Sequence, residues 1–479
     1  MEKQRMKSEA LFKEKPVWSA IIYMAVSSCI SLLIIVIYNM ADMFFIGQLG
    51  DTALVAAVSV VGPVFSLVTA AATMLGVGGC SVIANAAGAG RVEDAKSYAS
   101  VSCWAAVLFG IAAAVILLAG TEPVLKLLGA NSEIMVPAGV YMRILALGAP
   151  FMLLSVVLAT LLRADGAIRE GLIGNMAGTV LNMLLDPLFI LVLHKGAAGA
   201  AAATVIGNMA SSGFYLFYVL RKSAYLSVSP GYAMRRKTFL LPILGVGLPN
   251  GISSILSGFA STFSNQLLAF YGTNAIAAMA AAGKTTMIIG MIQMGICMGV
   301  QPMMAYNYGA GNLPRLKEIL QKLGILSFVL GTAAAAGSFL ARHTLIQLFL
   351  KNADAAAMGE QMVFFLVIAS PVVGFYYLST NFLQASGNAG GAVIVSVLRQ
   401  GAVLIPCLYL MERLFGFRGI AAAYTISDVL SAAAAAAVCI WQYHMLKKKI
   451  FAPETGKRKE DGYGIKSGTA DYAGNCYKE

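Results

Sequence analysis

The chain has 479 residues, of which 59% are hydrophobic and 12% charged, with a formal net charge of +12. An ordinary soluble domain carries about 25% charged residues, so these proportions, with a mean hydropathy of +0.77, exclude a water-soluble globular protein. They point to a membrane protein whose positive surplus contacts anionic lipid, and they leave no need for a nucleic acid partner.

Met1 to Lys15 is charged, lacks the pattern of a signal peptide, and reads as a cytoplasmic tail over residues 1–15. Apolar stretches near the ~20 residues that cross a bilayer then recur at residues 17–41, 53–79, 97–120, 135–161, 168–193 and 196–220. A polar linker over residues 222–238 follows, and a second set spans residues 239–267, 275–300, 318–341, 358–383, 391–411 and 419–444. Backbone groups facing lipid must be satisfied within their own segment, so the spans are helices, and the ten-residue alternation of an outer-membrane barrel is missing. Residues 447–479, rich in Gly, Lys, Glu and Tyr, read as a disordered cytoplasmic tail.

The two sets are copies. Gly78, followed by Gly88-Ala89-Gly90 and Lys96, is answered 221 residues later by Gly299, Gly309-Ala310-Gly311 and Lys317. Pro150 answers Pro371, and Leu162 with Gly166 answers Leu383 with Gly387; Gly196 and Gly199 answer Gly416 and Gly419 with the offset slipped by one. Six spans per copy is an even number, so the repeats are parallel, related by a pseudo-two-fold axis along the membrane normal. The expected fold is an all-α polytopic membrane protein, twelve transmembrane helices in two six-helix lobes at residues 16–221 and 239–446. Lys and Arg concentrate in the tails and the even-numbered loops, which places both termini in the cytoplasm and the protein in the plasma (inner) membrane.

Chemistry in a membrane is sought where a polar residue sits deep in a span, because a charge at the centre costs ~2.5 to 3.5 kcal/mol on insertion scales. Asp42 lies near the outer end of span 1, close to Tyr38; span 5 carries Asn175, Asn182 and Asp186, and the four-residue step puts Asn182 and Asp186 on one face. Thr204 on span 6 lies at matching depth. Together Asp42, Asn182, Asp186 and Thr204 supply hard oxygen ligands for a proton or Na⁺. The competing reading is interhelical glue worth well under ~2 kcal/mol, yet two acids at one depth cannot both stay ionised in a low dielectric, which makes them a natural proton carrier. In the second half, helix rise puts Asp428 level with Arg399, a structural ion pair as readily as a functional one. Tyr141, Met176, Met287 and Met291, with Asn175 and Lys284, are candidates to line a cargo cavity, since Met adapts its shape and aromatic faces accept cations; lipid-facing or core packing is the competing reading.

The runs Asn39-Met40-Ala41-Asp42-Met43-Phe44-Phe45-Ile46-Gly47, Gly174-Asn175-Met176-Ala177-Gly178 through Asn182-Met183-Leu184-Leu185-Asp186-Pro187, and Gly299-Val300-Gln301-Pro302 leading to Asn307-Tyr308-Gly309-Ala310 resemble the multidrug and toxic compound extrusion (MATE) family, in its DinF-like/MepA-like branch. The likeness covers residues 16–446. It implies a V of two lobes that exports organic cations or amphiphiles in exchange for H⁺ or Na⁺, with the coupling site at Asp42, Asn182, Asp186 and Thr204, Ala200 as a carbonyl donor and Tyr38 as neighbour. The NorM-like branch carries a Glu and an Asp in the second lobe where this chain has Ser257 and Val373, and span 1 has no internal Pro after Pro16, which puts a proline-driven switch in doubt.

The expected function is therefore secondary active multidrug efflux, with no cofactor beyond the coupling ion and no metal beyond Na⁺. Cargo would be small, amphiphilic or cationic, and the protein would work in the bilayer as a monomer. The alternative is a flippase of lipid-linked saccharides from the same wider superfamily, which should instead line its cavity with Arg and Lys. Scattered cysteines and three isolated histidines lack metal-ligand spacing, and without a paired nucleophile and base or a phosphate-cradling motif an enzyme is not expected.

Overall fold

The computed structural model describes residues 2–47, 52–235, 239–350 and 352–451, and the side chains of residues 38–44 are not among those described. The expected tail beyond residue 451, and Arg236 and Lys237 of the linker, lie outside the described residues. Those described are almost wholly helical. The membrane helices are α1 (Val17–Gly47), α2 (Thr52–Gly88), α3 (Val92–Ala119), α4 (Ser132–Ala164), α5 (Ile168–Pro187) and α6 (Gly196–Arg221). The second set is α7 (Leu240–Ala269), α8 (Thr273–Gly309), α9 (Leu313–Leu340), α10 (Ala353–Ile368 with Ser370–Ala385), α11 (Ala389–Val397, resuming at Leu404–Phe415) and α12 (Phe417–Phe451). Eleven of these are long and apolar enough to cross a bilayer, and α10 makes a twelfth whose two pieces meet at 48° beside Pro371. The chain is a multi-pass membrane protein, and large apolar side chains such as Leu108, Val115 and Ile116 of α3 point outward, where lipid replaces water as the neighbour.

α2 and α8 each run nine residues past the spans read from hydropathy. The extensions hold Ser81, Asn85, Gln301 and Asn307, polar residues that lie between the two halves. Gln301 Nε2 donates to Ser81 Oγ at 3.4 Å and to Gln384 Oε1 at 3.2 Å, and Asn307 is 1% exposed. Both extensions end on a left-handed glycine, Gly90 at φ 73° and Gly311 at φ 68°, which terminates each helix at the same point of the repeat.

The halves meet at the end that carries both described termini (the terminal end). A Cβ on Gly88 would lie 2.0 Å from the Tyr306 carbonyl, and one on Gly309 would lie 2.0 Å from that of Asn85. Further in, a Cβ on Gly78 of α2 would meet the Ile243 carbonyl of α7 at 2.0 Å, and one on Gly299 of α8 would meet Ser28 and the Met24 carbonyl of α1. Toward the other end, Gly258 of α7 and Gly283 and Gly290 of α8 have no atom within 4 Å of a Cβ position.

Two segments cross this seal. The amino-terminal helix Glu2–Glu9 and its π turn Ala10–Glu14 precede α1 yet are held by the second half: Arg315 donates from Nε to the Phe12 carbonyl at 2.8 Å and from Nη2 to the Lys15 carbonyl at 2.6 Å. The linker precedes α7 yet is held by the first half, Ser100 Oγ and Trp104 Nε1 donating to the Ser229 and Val228 carbonyls at 2.6 and 3.1 Å. Each half thus grips the segment that leads into the other. Asp165, at the turn between α4 and α5, ties both together: its carbonyl accepts from Gln4 and Ser8, and its carboxylate from the amides of Ala224 and Tyr225.

Candidate functional site

α5 owes its site to a stripe of small residues. Gly171, Gly174, Gly178, Asn182 and Asp186 recur at three and four residues on its buried face. A Cβ on Gly178 would lie 1.9 Å from Ser211 Oγ and 2.5 Å from the Gly207 carbonyl of α6, so the two helices touch backbone to backbone. Ser211 Oγ donates to the Gly174 carbonyl and Tyr215 Oη to that of Gly171, both at 2.9 Å. Close crossing carries the next residues of the same stripe inward: Asn182 is 2% exposed and Asp186 0%.

There Asn182 Nδ2 donates to Asp186 Oδ1 at 3.4 Å across one helical turn. Thr204 of α6 is buried at this level, with Ala200 one turn away and wholly buried, and the Thr204 carbonyl accepts from Asn208 Nδ2 at 2.9 Å. Pro187 cannot donate to the Met183 carbonyl, and α5 gives way at once to a π turn, Leu188–Val192. Local departures of this kind are frequent at functional sites. The Asp186 carboxylate and the Asn182 amide oxygen on α5, with the Thr204 hydroxyl on the neighbouring helix, are oxygen donors of the kind that suits a proton or a hard monovalent cation. The side chains of Tyr38 and Asp42 lie outside those described; α1 carries their backbone toward the same end of the first half.

The cavity candidates divide. Asn175 Nδ2 donates to the Ser31 carbonyl of α1 at 3.3 Å, joining α5 to the helix that bears Asp42. Tyr141 is packed in an apolar cluster with Phe65, Leu145, Ile190 and Ala200. Met176, Met287 and Lys284 are exposed, Met291 is half-buried, and the Lys284 ammonium lies 5.7 Å from the Phe349 ring centroid. In the second half Ser257 is exposed and Val373 buried. Arg399 Nε lies 2.7 Å from Asp428 Oδ1. The sequence reading passed over Asp165 and Arg315, whose positions at span ends look like ordinary solvated loops, and gave Asn307 no role beyond its place in a family run.

The MatE family model matches residues 27–188 and 249–410, one stretch in each repeat. This chain belongs to the MatE family. Its relatives include the multidrug export protein MepA of Staphylococcus saprophyticus and of Staphylococcus aureus (strain NCTC 8325 / PS 47), each 32% identical over 432 residues, 90% of this chain and 95% of the relative. Among solved structures, a MATE transporter in the bent conformation superposes with a TM-score of 0.87 at 24% identity, over 92% of this chain and 98% of the other. An outward-facing multidrug resistance MATE family transporter of the MOP superfamily gives 0.86 at 24% identity, over 91% and 98%. These superpositions establish that this MatE protein has the two-repeat fold expected from its 221-residue register.

Proposed function

We propose that this MatE protein is a secondary active exporter of cationic or amphiphilic compounds, driven by H⁺ or Na⁺ flowing inward through the first half. The observation that carries the reading is the buried Asn182–Asp186 pair, held against α6 by a stripe that contains Gly174 and Gly178. A carboxylate with 0% exposure inside a span is costly, and an ion or proton sharing the site lowers that cost. Similarity to the MepA multidrug export proteins supports the cargo class.

In this mechanism Asp42 and Asp186 bind the coupling ion, with Asn182 and Thr204 orienting it and Ala200 and Tyr38 beside it. Loading changes how α1, α5 and α6 pack, and that packing biases which side the cavity faces. No cofactor takes part beyond the ion. The tails and even-numbered loops carry most of the Lys and Arg, which puts the terminal end in the cytoplasm and the protein in the plasma (inner) membrane, acting as a monomer without nucleic acid. The lobes are residues 16–221 and 239–446. The test is transport of a fluorescent organic cation in proteoliposomes with a pH gradient and a Na⁺ gradient imposed separately; failure of both to drive it contradicts the reading.

A further inference from the structure

The second half holds a cation of its own. Arg399 stands 221 residues after Gly178, the residue at which α5 and α6 cross, and Ser427 stands 220 after Gly207, the same slip shown by Gly196 and Gly416. The contacts agree with the register: a Cβ on Gly207 would lie 2.7 Å from the Gly178 carbonyl, and Ser427 Oγ donates to the Arg399 carbonyl at 2.8 Å. α11 and α12 therefore cross as α5 and α6 do. α11, like α5, breaks into a π turn, Leu398–Ala402, and Arg399 lies within it. Asn182 and Asp186 have Val403 and Cys407 as counterparts, so that amide–carboxylate pair of the first half is not repeated.

In their stead is a box. The Arg399 guanidinium lies 4.4 Å from the Tyr376 ring centroid and 5.2 Å from that of Tyr377; Nε donates to Asp428 Oδ1 at 2.7 Å and Nη1 to Tyr377 Oη at 3.3 Å. One carboxylate and two aromatic faces are the elements by which proteins recognise organic cations. The side chains of Arg399 and Asp428 remain 14% and 21% exposed, so the box is not sealed within the helix bundle.

We propose that Asp428, Tyr376 and Tyr377 form a second cation-binding box, specific for planar guanidinium-like cations, and that Arg399 is its resident occupant, excluding mobile cations from the second half. Arg399 is thereby the residue that leaves this transporter with a single ion site. Removing the side chain to its Cβ should uncover the box with its carboxylate intact.

The test uses the full chain in detergent and reads its melting temperature, which does not depend on transport, so the proposal and the antiport reading can fail separately. Arg399→Ala should melt below the wild type, and millimolar guanidinium chloride should restore most of the loss in a saturable way that sodium chloride at equal ionic strength does not. The wild type and the double variant Arg399→Ala/Asp428→Asn should not respond. Should Arg399→Ala yield no folded protein in sodium buffer, purification in guanidinium must recover it. Equal responses in the wild type or the double variant, or no recovery by guanidinium in either form of the experiment, would overturn the proposal.

Discussion

Gly88 and Gly309 are one position of the repeat seen twice, and each presses its α-carbon against the main chain of the opposite half, a Cβ on either lying 2.0 Å from a carbonyl oxygen. Those oxygens, of Tyr306 and Asn85, are themselves 221 residues apart. A two-fold seal of this kind closes the terminal end without a side chain to spare, because backbone cannot step aside as a flexible side chain can.

Gly309→Ala should therefore open the seal. Overpacking of this sort costs about 1 to 3 kcal/mol, and charged against one of two conformations it shifts their ratio roughly 5- to 150-fold. Distances between spin labels placed on the two halves at the terminal end should lengthen in the variant; an unchanged distribution would show that the glycine contact does not govern the equilibrium.

Asp165 should make the terminal end sensitive to pH. Burial pushes its carboxyl from the usual 3.8 up to about 7, while the Tyr225 and Ala224 amides and Ser223 hold it lower than burial alone would. The folded protein thus binds a proton more readily than the unfolded chain, so the contribution to stability is fully present below about pH 4, declines as pH rises, and is lost above about 7. Melting curves from pH 4 to 8 should show a steeper fall in the wild type than in Asp165→Asn. Parallel curves would contradict this assignment.

Arg315 should be what pins the amino-terminal helix to the second half. Its two bonds go to main-chain carbonyls of Phe12 and Lys15, and a hydrogen bond from a charged donor contributes about 1.5 to 3 kcal/mol. Arg315→Gln should expose the bond after Lys13 to trypsin markedly faster than in the wild type, with membrane insertion unaffected. Cleavage at the wild-type rate would mean that the buried Phe12 ring and the bonds made by Asn307, Gln4 and Ser8 hold the segment without it.

The repeat, the helix count and the pairing of Asn182 with Asp186 were legible in the sequence because each leaves a one-dimensional trace: an offset, an apolar run, a four-residue step. Arg399 and Asp428 were paired by depth, since helix rise is a ruler. The seal was not legible in this way. The last nine residues of α2 and of α8 carry Ser81, Asn85, Gln301 and Asn307, and these serve an interface between halves that no local pattern announces. Asp165 sits in a short Arg163-Ala164-Asp165-Gly166 turn that any solvated loop would resemble; only the fold brings residues 4, 8, 224 and 225 onto it. For Tyr141 the sequence left cavity and core open, because aromatic residues at helical spacing serve both, and its apolar cluster is the core alternative.

Gly178→Ala should test whether the crossing of α5 and α6 positions the site. A Cβ there would sit 1.9 Å from Ser211 Oγ and 2.5 Å from the Gly207 carbonyl, so the helices must part and Asn182 and Asp186 move with α5. The expected outcome is a protein that still folds but needs a markedly steeper gradient to drive export. Ser211→Ala, which relieves the nearer contact, should restore part of the loss; no loss in the single variant would show that the site tolerates the displacement.

Coupling through Asp186 is the claim on which the account turns. The direct measurement is export of a fluorescent organic cation from proteoliposomes, under an imposed pH or Na⁺ gradient, by wild type and Asp186→Asn reconstituted at equal density. The account predicts that one of the two gradients drives the wild type and that neither drives the variant, although the variant still binds the dye in detergent. Gradient-driven export by Asp186→Asn at the wild-type rate would contradict it.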